Sequence, residues 1–259
     1  MRELGDVYAD FMLGPRRGPG VCTLCFNLTD GYSRCYACSQ VEAWLDVVAP
    51  ISYSIAGEQL HHVLGSYKRL SGARRLAVEL AAVLSRFLNE HEACVARAAG
   101  VSRFELVATV PSGDRARDEW HPLRWMVAEL VGPTRERHER LLRRSPVSVD
   151  PRAFSAEKYP AVRSLDGVGV LLIDDTWTTG ANAQSAGAAL KRAGAGTIAA
   201  VVIGRHLNRD WHENDCRLRR LSRPFEWKRC ALCASEAETL ANGRQVTKPS
   251  ASDCRVSQG

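Results

Sequence analysis

The chain has 259 residues, 45% of them hydrophobic and 25% charged, with a formal net charge of +6. That is the make-up of a soluble globular protein with room for one good core and a small satellite, and the positive balance favours anionic ligands. No apolar run reaches the roughly 18 residues of a membrane span, and the start MRELGDVYADFMLGPRR carries acidic residues in place of a basic and then apolar leader, so a cytoplasmic protein is expected.

Residues 1–20 end in the Pro/Gly-rich PRRGPG, which cannot continue a helix and reads as a leader and linker. Residues 21–45 contain CTLCFNLTDGYSRCYAC, with Cys22 and Cys25 as one Cys-x-x-Cys pair, Cys35 and Cys38 as another, and a turn-forming Asp30-Gly31 between them. Six of the nine cysteines fall in such pairs, which in a reducing compartment points to metal rather than disulfides. Two pairs on facing knuckles match a four-sulfur zinc site, and four thiolates leave no open position for a substrate, so the zinc is structural.

From residue 46 to 233 the pattern is that of an α/β domain. LSGARRLAVELAAVLSRFL places Leu76, Leu80, Val83, Leu84 and Phe87 on one helical stripe. FELVATV (104–110) reads as a strand and PSGD as the loop after it; Leu123, Met126, Val127 and Leu130 give a second helix ended by Gly132-Pro133. Five arginines between 135 and 144 read either as a solvated helix face or as a mobile cationic loop. A strand over 168–173, a small polar loop, the helix AQSAGAALKRAG capped by Gly194, and a strand over 197–203 then form a βαβ crossover with parallel strands.

The loop of that unit, in VLLIDDTWTTGAN, carries the chemistry. Asp174 and Asp175 are adjacent like charges at the end of an apolar strand, where stability alone gives them no reason to be. Thr178, Thr179, Gly180, Ala181 and Asn182 follow at the turn into the helix, where free N–H groups, hydroxyls and an amide suit a phosphate. Two carboxylates beside a phosphate site can accept hydrogen bonds from vicinal hydroxyls or hold magnesium. Together they fit a ribose 5-phosphate. The competing reading is that Asp175 and Thr179 merely cap the helix.

VLLIDDTWTTGAN resembles the phosphoribosyl pyrophosphate motif of type I phosphoribosyltransferases. With the four-cysteine knuckle and YSIAGEQLHHVLGSYKRLSGARRLAVELAAVL, the chain from 21 to about 207 is similar to the ComF-like members, where Tyr53 and Lys68 fit a tyrosine and a helix-end lysine of the family. The resemblance implies an open parallel sheet flanked by helices, with magnesium and phosphoribosyl pyrophosphate as the bound pair and phosphoribosyl transfer to a nitrogen acceptor as the reaction. It implies that Asp174 and Asp175 bind the ribose hydroxyls and that Thr178 to Asn182 cradle the 5-phosphate. The loop Pro111, Ser112, Gly113, Asp114 and Arg115 would hold the pyrophosphate, with Arg115 beside the two aspartates in the catalytic set, and residues 135–144 would form a hood. The sequence departs from the motif at Thr176, Trp177 and Asn182, and DEWHPLRW replaces the family's Arg-Gly-Phe-Asn stretch. Thr178 stands where 6-oxopurine salvage members carry an aspartate, which argues against hypoxanthine or guanine as acceptor.

His121 is a candidate acid or base near the pyrophosphate loop, while His61 and His62 read as surface or half-buried packing. In the C-terminal part, Cys230 and Cys233 form a third pair whose companions would be Cys216, Cys254, His206 or His212. PFEWKRCALC reads as a terminal segment docking Phe225 and Trp227, and 234–259 as a mobile tail. ComF-like proteins are linked to DNA uptake, so the alternative to an enzyme is a non-catalytic partner of nucleic acid. It would use the basic residues 205–229, with Trp211 and Trp227 stacking on bases.

Overall fold

The apolar residues 170 to 173 are fully buried, as a strand covered on both faces must be. In the computed structural model, which describes residues 8–68, 73–112, 120–147 and 152–233 together with 6, 118, 149 and 150, this run lies in an interior strand of a six-stranded sheet. In chain order the elements are β1 (Leu13–Gly14), α1 (Tyr36–Ser39), β2 (Val47–Ile55), α2 (Gln59–Ser66), α3 (Ala73–Ala98) and β3 (Leu106–Thr109). Then come α4 (Pro122–Trp125), which runs into a π turn (Met126–Leu130), α5 (Gly132–Arg135), β4 (Val170–Trp177), α6 (Ala181–Arg192), β5 (Ile198–Leu207), α7 (Asn214–Leu221) and β6 (Arg223–Pro224).

The sheet order is β3-β4-β5-β2-β1-β6. Its first four strands are parallel, with Leu106 opposite Val170, Val170 opposite Ile198 and Val47 opposite Ala199. The two short outer strands are antiparallel: Leu13 lies opposite Tyr53 on one side and Pro224 on the other. The sheet is therefore mostly rather than wholly parallel. Residues 13 and 14 of the expected leader supply one of its strands, and Tyr8 and Met12 are buried in the core.

Alternate side chains of the strands feed two cores. On one face, Ile51, Leu171, Ile173, Val201 and Ile203 pack with α2, α3 and the π turn. The expected α3 stripe is there, with Leu80, Val83, Leu84 and Phe87 buried. On the other face, Val48, Leu172, Ala200 and Val202 pack with α6 and the four knuckle cysteines. Close approach of α6 depends on its small residues; a Cβ on Gly187 would lie 2.8 Å from a Leu45 methyl.

Two expected elements differ. The helix through Leu123 and Leu130 is a short α4 that widens into the π turn, and Gly132-Pro133 begins α5 instead of ending a helix, because proline is well placed at a first helical turn. The arginine-rich stretch is mainly extended. His138 bridges to Val107, Leu142 bridges to Ala161, and Leu141 and Leu142 are buried. Arg137 grips Glu92 through two nitrogens at 2.7 and 2.8 Å, so residues 135–144 are fixed along the sheet edge. No helix among the described residues is long and apolar enough to cross a membrane.

Candidate functional site

β4 continues four residues beyond the expected strand, because Asp174, Thr176 and Trp177 still pair with Val202, Gly204 and Arg205 of β5. The two aspartates therefore project to opposite faces of the strand's last turns of pleat. They open into a cleft of about 590 Å³ at the carboxyl ends of the parallel strands, the usual ligand position in such sheets. Val110, Pro111 and Ser112 line it after β3, Lys68 and His61 from the α2 side, Thr178 and Asn182 from the start of α6, and His121 and His206 complete it. Gly113, Asp114 and Arg115 of the expected pyrophosphate loop lie outside the described residues.

Asp175 is buried and receives hydrogen bonds from the Tyr67 hydroxyl and from Lys68 Nζ at 2.9 Å. Desolvation raises its pKa, but the Lys68 charge and the bonds from Lys68 and Tyr67 outweigh this and hold the carboxyl below its ordinary value. Asp174 is half-buried, and among the described residues it accepts only the Asp175 N–H, at 2.9 Å. Desolvation and the neighbouring Asp175 carboxylate push its pKa up to about 8. The pair is thus asymmetric, one carboxylate matched and the other in need of a cation or a donor. The expectation that neither aspartate serves stability is corrected for Asp175. Its helix-capping role is absent as well, since its partners are on the α2 side.

The α6 start is shaped by Trp177. Its indole is buried beneath Gly180, which has a left-handed φ of +83°. A Cβ there would lie 2.2 Å from the ring, so only glycine lets the chain turn over this tryptophan. Thr179 Oγ1 accepts the Ala181 N–H at 3.3 Å, a long cap bond. Thr178 and Thr179 are exposed, and Asn182 Oδ1 is buried with no partner among the described residues. The N–H groups of the first turn have no intrahelical acceptors.

Ser112 is buried; its N–H donates to Asp118 at 3.2 Å, and its carbonyl accepts from Arg144 at 3.2 Å. Asp118 is held in turn by Arg140 at 2.9 Å. His121 caps α4 without a side-chain bond. Burial lowers its pKa to about 4, so the ring is neutral, and its Nδ1 is unpartnered among the described residues.

Sequence reasoning finds Asp174, Asp175, Lys68, Ser112 and His121, which the cleft brings together with Thr178 and Asn182 of the 178–182 loop, whereas Thr179, Gly180 and Ala181 of that loop line a neighbouring hollow with Cys38, Trp177 and Trp211. Tyr53 is elsewhere: it is buried and donates to the Phe26 carbonyl at 2.9 Å. Tyr67, beside Lys68 in sequence, is the tyrosine that meets Asp175. His61, expected at the surface or in half-buried packing, is half-buried and also lines the cleft, 5.1 Å from the His206 ring.

Behind the α6 start lies the knuckle. Cys22, Cys25, Cys35 and Cys38 are buried, and their sulfurs lie within 4.8 Å of one another. Hydrogen bonding to the Cys22 sulfur is the largest cause that pushes the Cys25 and Cys38 thiols far above their ordinary range. A divalent cation resolves this crowding, and the set fits a structural zinc. The knuckle is tied to the site by buried Arg205, which donates to the Cys25 carbonyl at 3.1 Å and to the Trp177 carbonyl at 3.0 Å.

Several basic residues of the segment expected to meet nucleic acid have acidic or buried surroundings. Arg205 is buried, Arg209 pairs with Glu58 and Asp215, Arg217 with Asp30 and Glu213, and Arg219 with Asp215. Trp227 is buried under the Arg86 guanidinium and cannot stack on a base; Trp211 is exposed. No protein-family model matches the sequence, and no curated protein matches it.

Proposed function

We propose that the cleft binds phosphoribosyl pyrophosphate with magnesium and that the chain transfers the phosphoribosyl group to a nitrogen acceptor. Chief support comes from the half-buried Asp174 carboxyl, whose pKa is raised to about 8 by desolvation and the Asp175 charge, facing the cleft beside the start of α6. A ribose diol or a magnesium ion on Asp174 and a 5-phosphate on the 178–182 loop would satisfy both needs at once. Lys68 already answers Asp175 and so holds that carboxylate ionised toward the cleft. The Ser112 turn, braced by Asp118 and Arg144, offers a place for the pyrophosphate. Held by Asp174 and the pyrophosphate, magnesium would supply charge neutralisation for the leaving group. The protein's own part is to fix the sugar phosphate against an acceptor and to keep the Lys68 charge near the developing negative charge. His121, kept neutral by burial, lines the cleft with an unpartnered Nδ1 that offers a hydrogen bond to a nitrogen acceptor.

Calorimetry with phosphoribosyl pyrophosphate and magnesium tests the reading. Wild type should bind, and Asp174→Asn with Asp175→Asn should weaken binding at least about tenfold, since each charge-assisted bond contributes on the order of 1.5–3 kcal/mol. Absence of binding by wild type at millimolar ligand, or unchanged affinity in the double variant, overturns it. Release of pyrophosphate on adding an acceptor then separates an enzyme from a binding protein.

A further inference from the structure

On the sheet face away from the knuckle, the chain after β6 crosses helix α3. Phe225 and Trp227 meet edge to face, with ring centroids 4.8 Å apart. Trp227 lies under the Arg86 guanidinium, 4.3 Å from its ring centre, and Cys230, Ala231 and Leu232 are buried in the core. At the end of this crossing Cys230 and Cys233 face His91 and Cys94, one turn apart on α3, so that His91 Nδ1 and three sulfurs lie within 4.8 Å of one another.

We propose that His91, Cys94, Cys230 and Cys233 form a second zinc centre, of three thiolates and one imidazole, that fastens the C-terminal segment to helix α3. The distances fit. Cys230 and Cys233 sulfurs are 3.4 Å apart, and His91 Nδ1 is 3.7 Å from the Cys94 sulfur and 3.9 Å from that of Cys233. A tetrahedral zinc with its usual bond lengths sets S···S near about 3.8 Å and S···N near about 3.5 Å. The imidazole is already in the required tautomer. His91 Nε2 lies 2.5 Å from the Trp227 carbonyl; a carbonyl only accepts, so Nε2 carries the proton and the Nδ1 lone pair is left for the metal. The peptide N–H of Cys233 points at the Cys230 sulfur at 3.3 Å, and that of Cys230 at the Cys233 sulfur at 3.2 Å, donors that favour thiolates. Four protein ligands close the coordination shell, which makes the centre structural and not catalytic.

The ligands come from sites 142 positions apart in the chain, His91 and Cys233. Cross-linking so long a loop restricts the unfolded chain strongly. The segment needs the help, because Trp227 and the three buried residues 230 to 232 are its main apolar anchors. Of the companions expected from sequence, Cys216, His206 and His212 are not in this cluster, and Cys254 lies outside the described residues.

Elemental analysis of the purified full-length chain should find about two zinc per molecule, and Cys94→Ala and Cys233→Ala should each hold about one while keeping the knuckle metal. Wild type with a single zinc, or two zinc surviving in the Cys94→Ala/Cys233→Ala double variant, overturns the proposal. Should the variants fail to fold, the wild type decides alone. Cobalt-substituted protein should show sulfur-to-metal absorption for seven thiolates; absorption for four, or a Cys230–Cys233 disulfide found by mass spectrometry in the freshly purified protein, overturns the second centre.

Discussion

Lys68 Nζ lies 2.9 Å from one oxygen of Asp175 and 2.8 Å from the other, so the ammonium is shared across the whole carboxylate. One acidic group of an adjacent pair is thereby neutralised and its neighbour is not. The two aspartates should therefore respond in opposite directions when altered.

Asp175→Asn should destabilise the protein without ligand by about 1–3 kcal/mol, since it leaves Lys68 and the Tyr67 hydroxyl facing an amide in a partly closed site. Thermal melts at neutral pH read this directly. A variant as stable as wild type means the ion pair contributes nothing to folding.

For Asp174 the pH dependence carries the signature. Its pKa in the folded chain is pushed up to about 8 from an ordinary value of 3.8, so the unfolded state releases the proton first as pH rises. The stability tied to the proton is complete below about pH 4 and is lost as pH climbs through 8. Melting temperature without ligand should fall between about pH 5 and 8 more steeply in wild type than in Asp174→Asn, with the variant several degrees more stable at the upper end. Parallel curves would show that Asp174 is not the titrating group.

Gly180→Ala should lower stability by at least about 1–2 kcal/mol for the left-handed backbone alone. The displacement of Trp177 adds to this, because the new methyl would meet the indole at 2.2 Å. Weakened binding of phosphoribosyl pyrophosphate should accompany it. Near-wild-type melting would mean the α6 start can shift at little cost.

Removal of the knuckle metal should reach the cleft. Cys22→Ser should lose that zinc and melt lower by on the order of 10 °C, and the Cys25 carbonyl would no longer hold Arg205 against Trp177. Affinity for the phosphoribosyl ligand should fall with the metal content across a chelator titration. Constant affinity at zero knuckle zinc shows the two sites to be independent.

The unit from β4 to β5 was legible because each of its parts declares itself locally: an apolar run, a Thr/Gly loop, a small-residue helix, a glycine cap. The knuckle declares itself by spacing alone. What stayed hidden depends on distance along the chain. Tyr67 and Lys68 meet Asp175 across about 108 positions, and nothing near Tyr67 sets it apart from Tyr53. Strands β1 and β6 have two residues each, too few for an alternating pattern to show. His91 and Cys94 look like ordinary members of an amphipathic helix until the C-terminal pair is laid against them. The π turn over 126–130 is hidden for a different reason: one widened turn is too short to change the apolar spacing of Leu123, Met126, Val127 and Leu130 from that of an α-helix.

The sheet order has a consequence for how the chain is made. Strand β2 takes its parallel partner from residues 198 to 207, and Gly14 finds its neighbour only at Arg223. As synthesis proceeds from the N-terminus, the strand at 47 to 55 waits for about 150 further residues before its edge is covered. Until then an apolar edge and a set of reactive thiols stand open together on the ribosome. Early capture of zinc by residues 22 to 38, all of them local, would give the emerging chain one settled piece while the rest is still awaited.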